Sequence, residues 1–247
     1  MDIDREKLKQ LEKSRTKKKA FSDSLVLSSF LAIIHTLIEI GSKMSIVEMA
    51  RFTNSINHWI KNRPANKKSR NCTEGTIVEV EFGLTYKTET PYRHSALVIK
   101  EYKNKIMVIP STSKQDYWKN GFHPLSNPTG NKEYFRVTTT DGFDHDCVLV
   151  MNELKTISKN RIISTCGNME VSSEDCLYKQ IRKALFHDIF SDEIKEYEDK
   201  ITEINEIIQE NKETIQSLFS TIRRKNAILS KVTKKQSNKK FSNKNMK

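Results

Sequence analysis

The 247-residue chain is short of the residues that staple or bend small folds, with four cysteines, seven glycines, five prolines and two tryptophans. Cys72, Cys147, Cys166 and Cys176 stand 75, 19 and 10 residues apart. No pair has metal-ligand spacing, so neither a zinc knuckle nor a disulfide framework is expected. No cleavable leader is apparent, and the thiols are read as reduced, in a cytoplasmic protein. No apolar run reaches the roughly 20 residues of a membrane span. The longest, Leu25 to Ile40, carries His35 and Glu39; it is expected to be a buried helix, with no membrane as partner. Acidic residues vanish from Arg223 to Lys247, where ten basic residues stand alone.

The composition is soluble but lean, 36% hydrophobic and 30% charged, so much of the chain is not expected to enter a core. Net charge is +12, yet residues 75 to 190 hold 15 basic against 14 acidic side chains. The excess therefore lies in the flanks, with four further basics between Arg63 and Arg70. Two readings of the basic terminus stand: a polyanion-binding tail acting through phosphate contacts, or a solvated, disordered one.

Residues 1–19 form a lysine-rich leader. Residues 21–62 carry apolar residues at three- and four-residue spacing and read as helices, with Ser22 and Asp23 as N-cap chemistry and a break at Gly41-Ser42. Asn62 to Cys72 is polar, basic and contains Pro64, the signature of a linker. Strand-like alternation begins at Ile77 to Phe82 and is expected again at 95–101, 105–110, 134–139, 147–151 and 161–164. Residues 114–133 are expected to be a long loop, 152–157 a helical turn, and 172–186 a helix capped by Ser172-Ser-Glu-Asp175. From Ile194 to Leu229, steps of three and four run through Tyr197, Ile201, Ile204, Ile208, Asn211, Ile215, Leu218 and Ile222. That is a coiled-coil heptad pattern, with Asn211 in the seam to fix register. The seam's partner, a second copy or the chain's own N-terminal helices, is left open by periodicity.

The expected organisation is thus a helical extension and linker (1–70), a globular domain (71–190), a coiled-coil helix (191–232) and a basic disordered tail (233–247). Within the globular part, Arg93 stands at the mouth of the apolar strand ending Ala96-Leu-Val-Ile99, and Thr112-Ser113 follow the apolar run Lys105 to Pro110. A guanidinium fork beside hydroxyls suits a phosphate.

These segments, in order and spacing, resemble the PemK/MazF family of toxins from type II toxin–antitoxin systems. The matching pieces are Gly75 to Phe82, Arg93-His-Ser-Ala-Leu-Val-Ile99, Ile109-Pro-Ser-Thr-Ser113 and Met151-Asn-Glu-Leu-Lys-Thr-Ile-Ser-Lys-Asn-Arg161. The resemblance covers residues 75 to about 187. It implies an α+β chain with a small SH3-like β-barrel, usually dimeric, that cuts single-stranded RNA without metal or cofactor (an mRNA interferase) and is held in check by a cognate antitoxin. By that resemblance Arg93 and Thr112 are the catalytic residues, with Ser113 beside them. His94 replaces the family's proline and, titrating near neutrality, offers a general acid or base, although strand alternation should turn it to the face opposite Arg93. Glu89 falls near the place of an acidic loop residue in the family and is a second candidate base.

Lys114, Tyr117, Trp118, Lys159 and Arg161 are candidate RNA contacts, the aromatics by stacking on unpaired bases. Thr156, with Lys159 and Arg161, follows the family's late element. Asp141, Asp144, His145 and Asp146 read either as a metal cluster or as a turn. The main alternative function is a non-catalytic toxin of the same fold acting on a protein target such as a topoisomerase, as in the CcdB family.

Overall fold

The computed structural model describes residues 3–14, 16–63 and 72–242. The chain divides into two units, residues 1–182 and 183–247. Three helices open the first: α1 (Arg5–Lys13), α2 (Ser24–Gly41) and α3 (Ile46–Asn62). Asp23 caps α2 by accepting from the amides of Leu25 and Val26, and Ser45 caps α3 by accepting from that of Glu48. Between them the chain turns at Gly41-Ser42, as the sequence suggests. The linker read at 62–72 falls largely on residues 64–71, outside the described ones.

The expectation of a buried Leu25–Ile40 helix fails. Ser29 is the only buried residue of α2, and Leu31, Ile33, Ile38 and Ile40 are exposed. Of the described helices, α2 alone is long and apolar enough to cross a membrane, by length and composition only.

Eight strands follow: β1 (Thr76–Glu81), β2 (Arg93–Glu101), β3 (Lys105–Thr112), β4 (Gly121–Phe122), β5 (Asn131–Val137), β6 (Cys147–Val150), β7 (Lys155–Ser158) and β8 (Ile162–Asn168). Their order is β4-β5-β6-β3-β2-β1-β8, antiparallel except for the parallel β4–β5 pair. Among the described residues nothing joins β4 to β8, so the sheet is mixed and open, and a closed SH3-like barrel is not what the pairing displays. β3 is its hinge. One edge of β3 pairs with β2; the other pairs with β7 through residues 105–108 and with β6 through Ser111 and Thr112. Pro110 sits between those two pairings, where its missing N–H costs no ladder bond.

Alternation in β1 places Val78, Val80 and Phe82 in one apolar cluster with Ala96, Val98, Ile106 and Val108, and turns Glu79 and Glu81 to the other face. β7 corrects the helical turn expected at 152–157: only Met151–Glu153 forms a 3₁₀ turn, and Ile157 is buried as a strand residue against Ile106. Likewise 114–133 is not all loop, since it holds α4 (Gln115–Asn120) and β4. The Ser172 cap is displaced too. The amides of Ser172 and Ser173 donate to the Glu170 carboxylate, and helix α5 (Leu177–Ile189) begins only at Leu177. It is anchored in the first unit by buried Tyr178, whose hydroxyl donates to the Ile99 carbonyl at 3.0 Å and whose pKa burial pushes up to about 12.

α5 runs across the division, and the rest of the second unit is one helix, α6 (Ser191–Ser242). The apolar seam residues from Tyr197 to Leu229 are exposed, by 45% to 65%. Residues 233–242 continue the helix rather than forming the expected disordered tail; 243–247 lie outside the described residues.

Candidate functional site

A cleft of about 1200 Å³ opens where β1, the start of β2 and the end of β3 meet α3. The register explains why Arg93 is there. β1 and β2 pair Glu81 with Arg93 and Glu79 with Ser95, so the arginine emerges on the face that carries both acids. Its guanidinium makes a bidentate pair with Glu79, through Nε and Nη2. Ser164 Oγ donates to the same carboxylate at 2.9 Å. The arginine's hydrogen bonds, with help from Ser164, hold Glu79 below the ordinary carboxylate range, and Glu79 in turn raises Arg93. The Arg93 side chain nevertheless stays 59% exposed. Sequence reading missed Glu79; the signal was two acids at i and i+2 on the strand beside the arginine.

His94 leaves β2 on the opposite face, as the pleat requires, but the cleft wraps round the strand end and both residues line it. Its Nδ1 lies 3.0 Å from the Ser111 carbonyl. A carbonyl only accepts, so Nδ1 carries the proton and Nε2 is left with a lone pair in the neutral ring. Burial favours that neutral state by pushing the imidazole pKa below its usual 6.5, outweighing the hydrogen bond to Ser111.

Thr112, Ser113 and Lys114 line the cleft at the end of β3. The Ser111 hydroxyl donates to the Ser95 carbonyl at 3.1 Å, tying this end of β3 to the start of β2. Tyr117 stacks on Tyr134 with centroids 4.4 Å apart, and the Lys114 ammonium sits 5.2 Å from the Tyr117 centroid. All three side chains face the cleft.

The loop 83–92 forms the remaining rim. Glu89 lies on it, exposed and lining the cleft. The loop is clamped by Glu153, which accepts from the Thr90 amide at 2.7 Å, the Thr90 hydroxyl at 2.9 Å and the Lys155 ammonium at 3.0 Å. Burial raises Glu153, but these donors outweigh it and leave it below the ordinary value. Tyr92 closes the loop with φ of 56°, a left-handed conformation uncommon for a bulky residue. Its amide donates to the Gly83 carbonyl, and its carbonyl accepts from the Phe82 amide.

Four sequence candidates stand elsewhere. Trp118 does not line the cleft; the Arg136 guanidinium covers its ring at 5.4 Å. Lys159 is 8% exposed and bound to Glu101 at 2.5 Å. Arg161 Nη1 donates to the carbonyls of Glu81 and Phe82, strapping β8 to the end of β1. Thr156 pairs with Met107 in the β3–β7 ladder.

The acidic cluster is a turn. Asp141 accepts from the Thr138 amide and hydroxyl, and Asp144 pairs with His145. Among the described residues, no three His, Cys, Asp or Glu side chains are grouped to hold a metal ion. None of the four cysteines is in a disulfide, and burial pushes Cys147 up to about 12, which leaves it an inert core residue.

No family model and no curated protein matches the chain. Among solved structures, a MazE–MazF crystal structure (Form-II) from Deinococcus radiodurans is similar over 48% of this chain and 92% of its own, with 13% identity and a TM-score of 0.31. A likeness of that size carries no argument about function.

Proposed function

We propose that this chain is an endoribonuclease toxin that cuts single-stranded RNA by attack of a ribose 2′-hydroxyl on the adjacent phosphate. The observation that supports it most is the meeting, in one open cleft, of an arginine, a neutral histidine, strand-end hydroxyls and a stacked tyrosine pair. The first two suit phosphate chemistry, and the tyrosines suit unpaired bases. The motif resemblance points the same way and implies a cognate antitoxin as partner.

In this reading, His94 Nε2 takes the proton of the 2′-hydroxyl as the 2′-oxygen–phosphorus bond forms. The bond from phosphorus to the 5′-oxygen breaks, and the leaving oxygen takes a proton from solvent in the open cleft. Arg93, oriented by Glu79, donates to the phosphate oxygens as their charge grows, and Thr112, Ser113 and Lys114 add donors at the same strand end. Glu89 is the alternative base. No step needs a metal. The test is whether full-length protein cuts a long single-stranded RNA while sparing DNA of the same sequence, which lacks the nucleophile; equal cutting of both, or of neither, overturns the reading.

The Glu79–Arg93 pair also supports the alternative of a non-catalytic toxin that binds a protein target, because part of the guanidinium's charge is already neutralised. Intact RNA together with a stable protein complex would favour it.

A homodimer through α6 belongs to the same proposal. A solitary helix with an exposed isoleucine seam is marginal in water, whereas paired seams bury it around Asn211. Removing residues 190–247 is therefore expected to turn a dimer into a monomer in light scattering, a fall in mass well beyond that of the residues removed. It is also expected to weaken RNA binding chiefly at low salt, as the ten basic residues between Arg223 and Lys247 leave with it. Equal oligomeric states before and after truncation would remove the dimer.

A further inference from the structure

The cleft's second wall is α3, a segment outside the motifs that suggest a nuclease. Along it, Arg51, Asn54, His58 and Lys61 recur at steps of three and four and line the cleft, with Asn57 beside them and Ser55 buried. An amphipathic helix ordinarily turns an apolar face to its domain. Here the face toward the sheet is polar, while Ile46, Val47, Trp59 and Ile60 are exposed. Such a wall gains little from apolar burial against the sheet and suits a wet, polar occupant.

The charges say which occupant. The sheet and its loops bring Glu79, Glu81, Glu89 and Glu153 to the cleft against the two cations Arg93 and Lys114. That wall alone is net −2, and Arg93 is already shared with Glu79. It would repel a polyanion. α3 adds Arg51 and Lys61 and no acid, which brings the cleft to balance around a row of amide donors. Arg51 is also close enough to His94 to help keep the imidazole neutral.

We infer that α3 is the phosphate-binding wall of the cleft, with Arg51 and Lys61 contacting the backbone of single-stranded RNA that lies between this helix and the β2–β3 end. This rests on the nuclease reading and adds to it a substrate-binding surface. A helix shielding the site from RNA would instead line it with acids in place of the phosphates, whereas the one acid of α3, Glu48, lies outside the lining, near Tyr92.

The test compares wild type, R51A/K61A and K103A/K105A, the last removing two exposed cations from the β2–β3 hairpin, away from the cleft. Binding of a fully 2′-O-methylated single-stranded RNA is followed by fluorescence anisotropy over a salt series, and cleavage of unmodified RNA by single-turnover kinetics. R51A/K61A is expected to bind about tenfold more weakly, with the slope of log affinity against log salt shallower by about 1.4, the value for two lost contacts to a single strand. Its cleavage should slow chiefly at subsaturating RNA, and K103A/K105A should leave affinity within about twofold. Unchanged affinity in R51A/K61A, with wild type still cutting RNA, overturns the α3 assignment alone. Faster cleavage in R51A/K61A would make α3 a shield and overturn it likewise. If wild type neither binds nor cuts RNA, both readings fall. Matching circular dichroism spectra guard against misfolding, and R51K/K61R should restore the slope.

Discussion

Replacing Arg93 by alanine is expected to cut the rate of RNA cleavage by about 10²- to 10³-fold, the usual effect of losing one preorganised donor to a developing oxyanion. The loss should fall on kcat more than on KM, because the guanidinium matters most as charge accumulates on the phosphate. The substitution also leaves Glu79 with Ser164 as its remaining side-chain donor, adding an unpaired negative charge beside the scissile phosphate. Arg93→Ala with Glu79→Gln should therefore recover part of the rate that Arg93→Ala alone loses. Wild-type cleavage by Arg93→Ala, measured in single turnover on folded protein, would remove the arginine from the mechanism.

His94→Gln is expected to lose about 10²- to 10⁴-fold, the range for a positioned general base. Its pH profile carries the sharper information. Burial holds the imidazole below 6.5, so the neutral, accepting form dominates at pH 7 and above. Activity should be flat there and fall as pH drops through that lowered value, because protonation takes the lone pair. The same shift predicts that the folded state loses stability as pH falls below 6.5, since the unfolded chain takes up the proton first. The His94→Gln variant should lack both responses. An unchanged acid limb in His94→Gln would move the base elsewhere, with Glu89 next to be tested.

Much of the fold was legible because its strands and helix starts are local. Period-two alternation marked β1, Asp23 announced α2, and apolar runs located β2, β3 and β6 within a few residues. What failed was set at long range. Lys155–Ser158 has too little pattern to declare a strand and becomes β7 only because the free edge of β3 accepts it. The apolar helix α2 was expected in the core on composition, whereas the sheet fills its own interior with Val, Ile and Phe and leaves α2 outside.

The site divides in the same way. Arg93, His94, Thr112, Ser113, Lys114, Tyr117 and Glu89 all come to the cleft, because they cluster at neighbouring strand ends or on the adjoining rim. Lys159 and Arg161 do not, because each is used to fasten an element to the sheet. Glu79, Glu153, Tyr134 and the polar face of α3 went unread. Their roles depend on strand register and on where a helix lands, which no residue spacing within one segment encodes.

Attack by a ribose 2′-hydroxyl, as proposed, dictates the chemistry of the RNA ends it leaves. Full-length protein incubated with single-stranded RNA in excess chelator should yield 2′,3′-cyclic phosphate ends, or the 3′-phosphates derived from them, paired with 5′-hydroxyls. Products bearing 5′-phosphates and 3′-hydroxyls, or cleavage that appears only when a divalent metal is restored, would contradict the account.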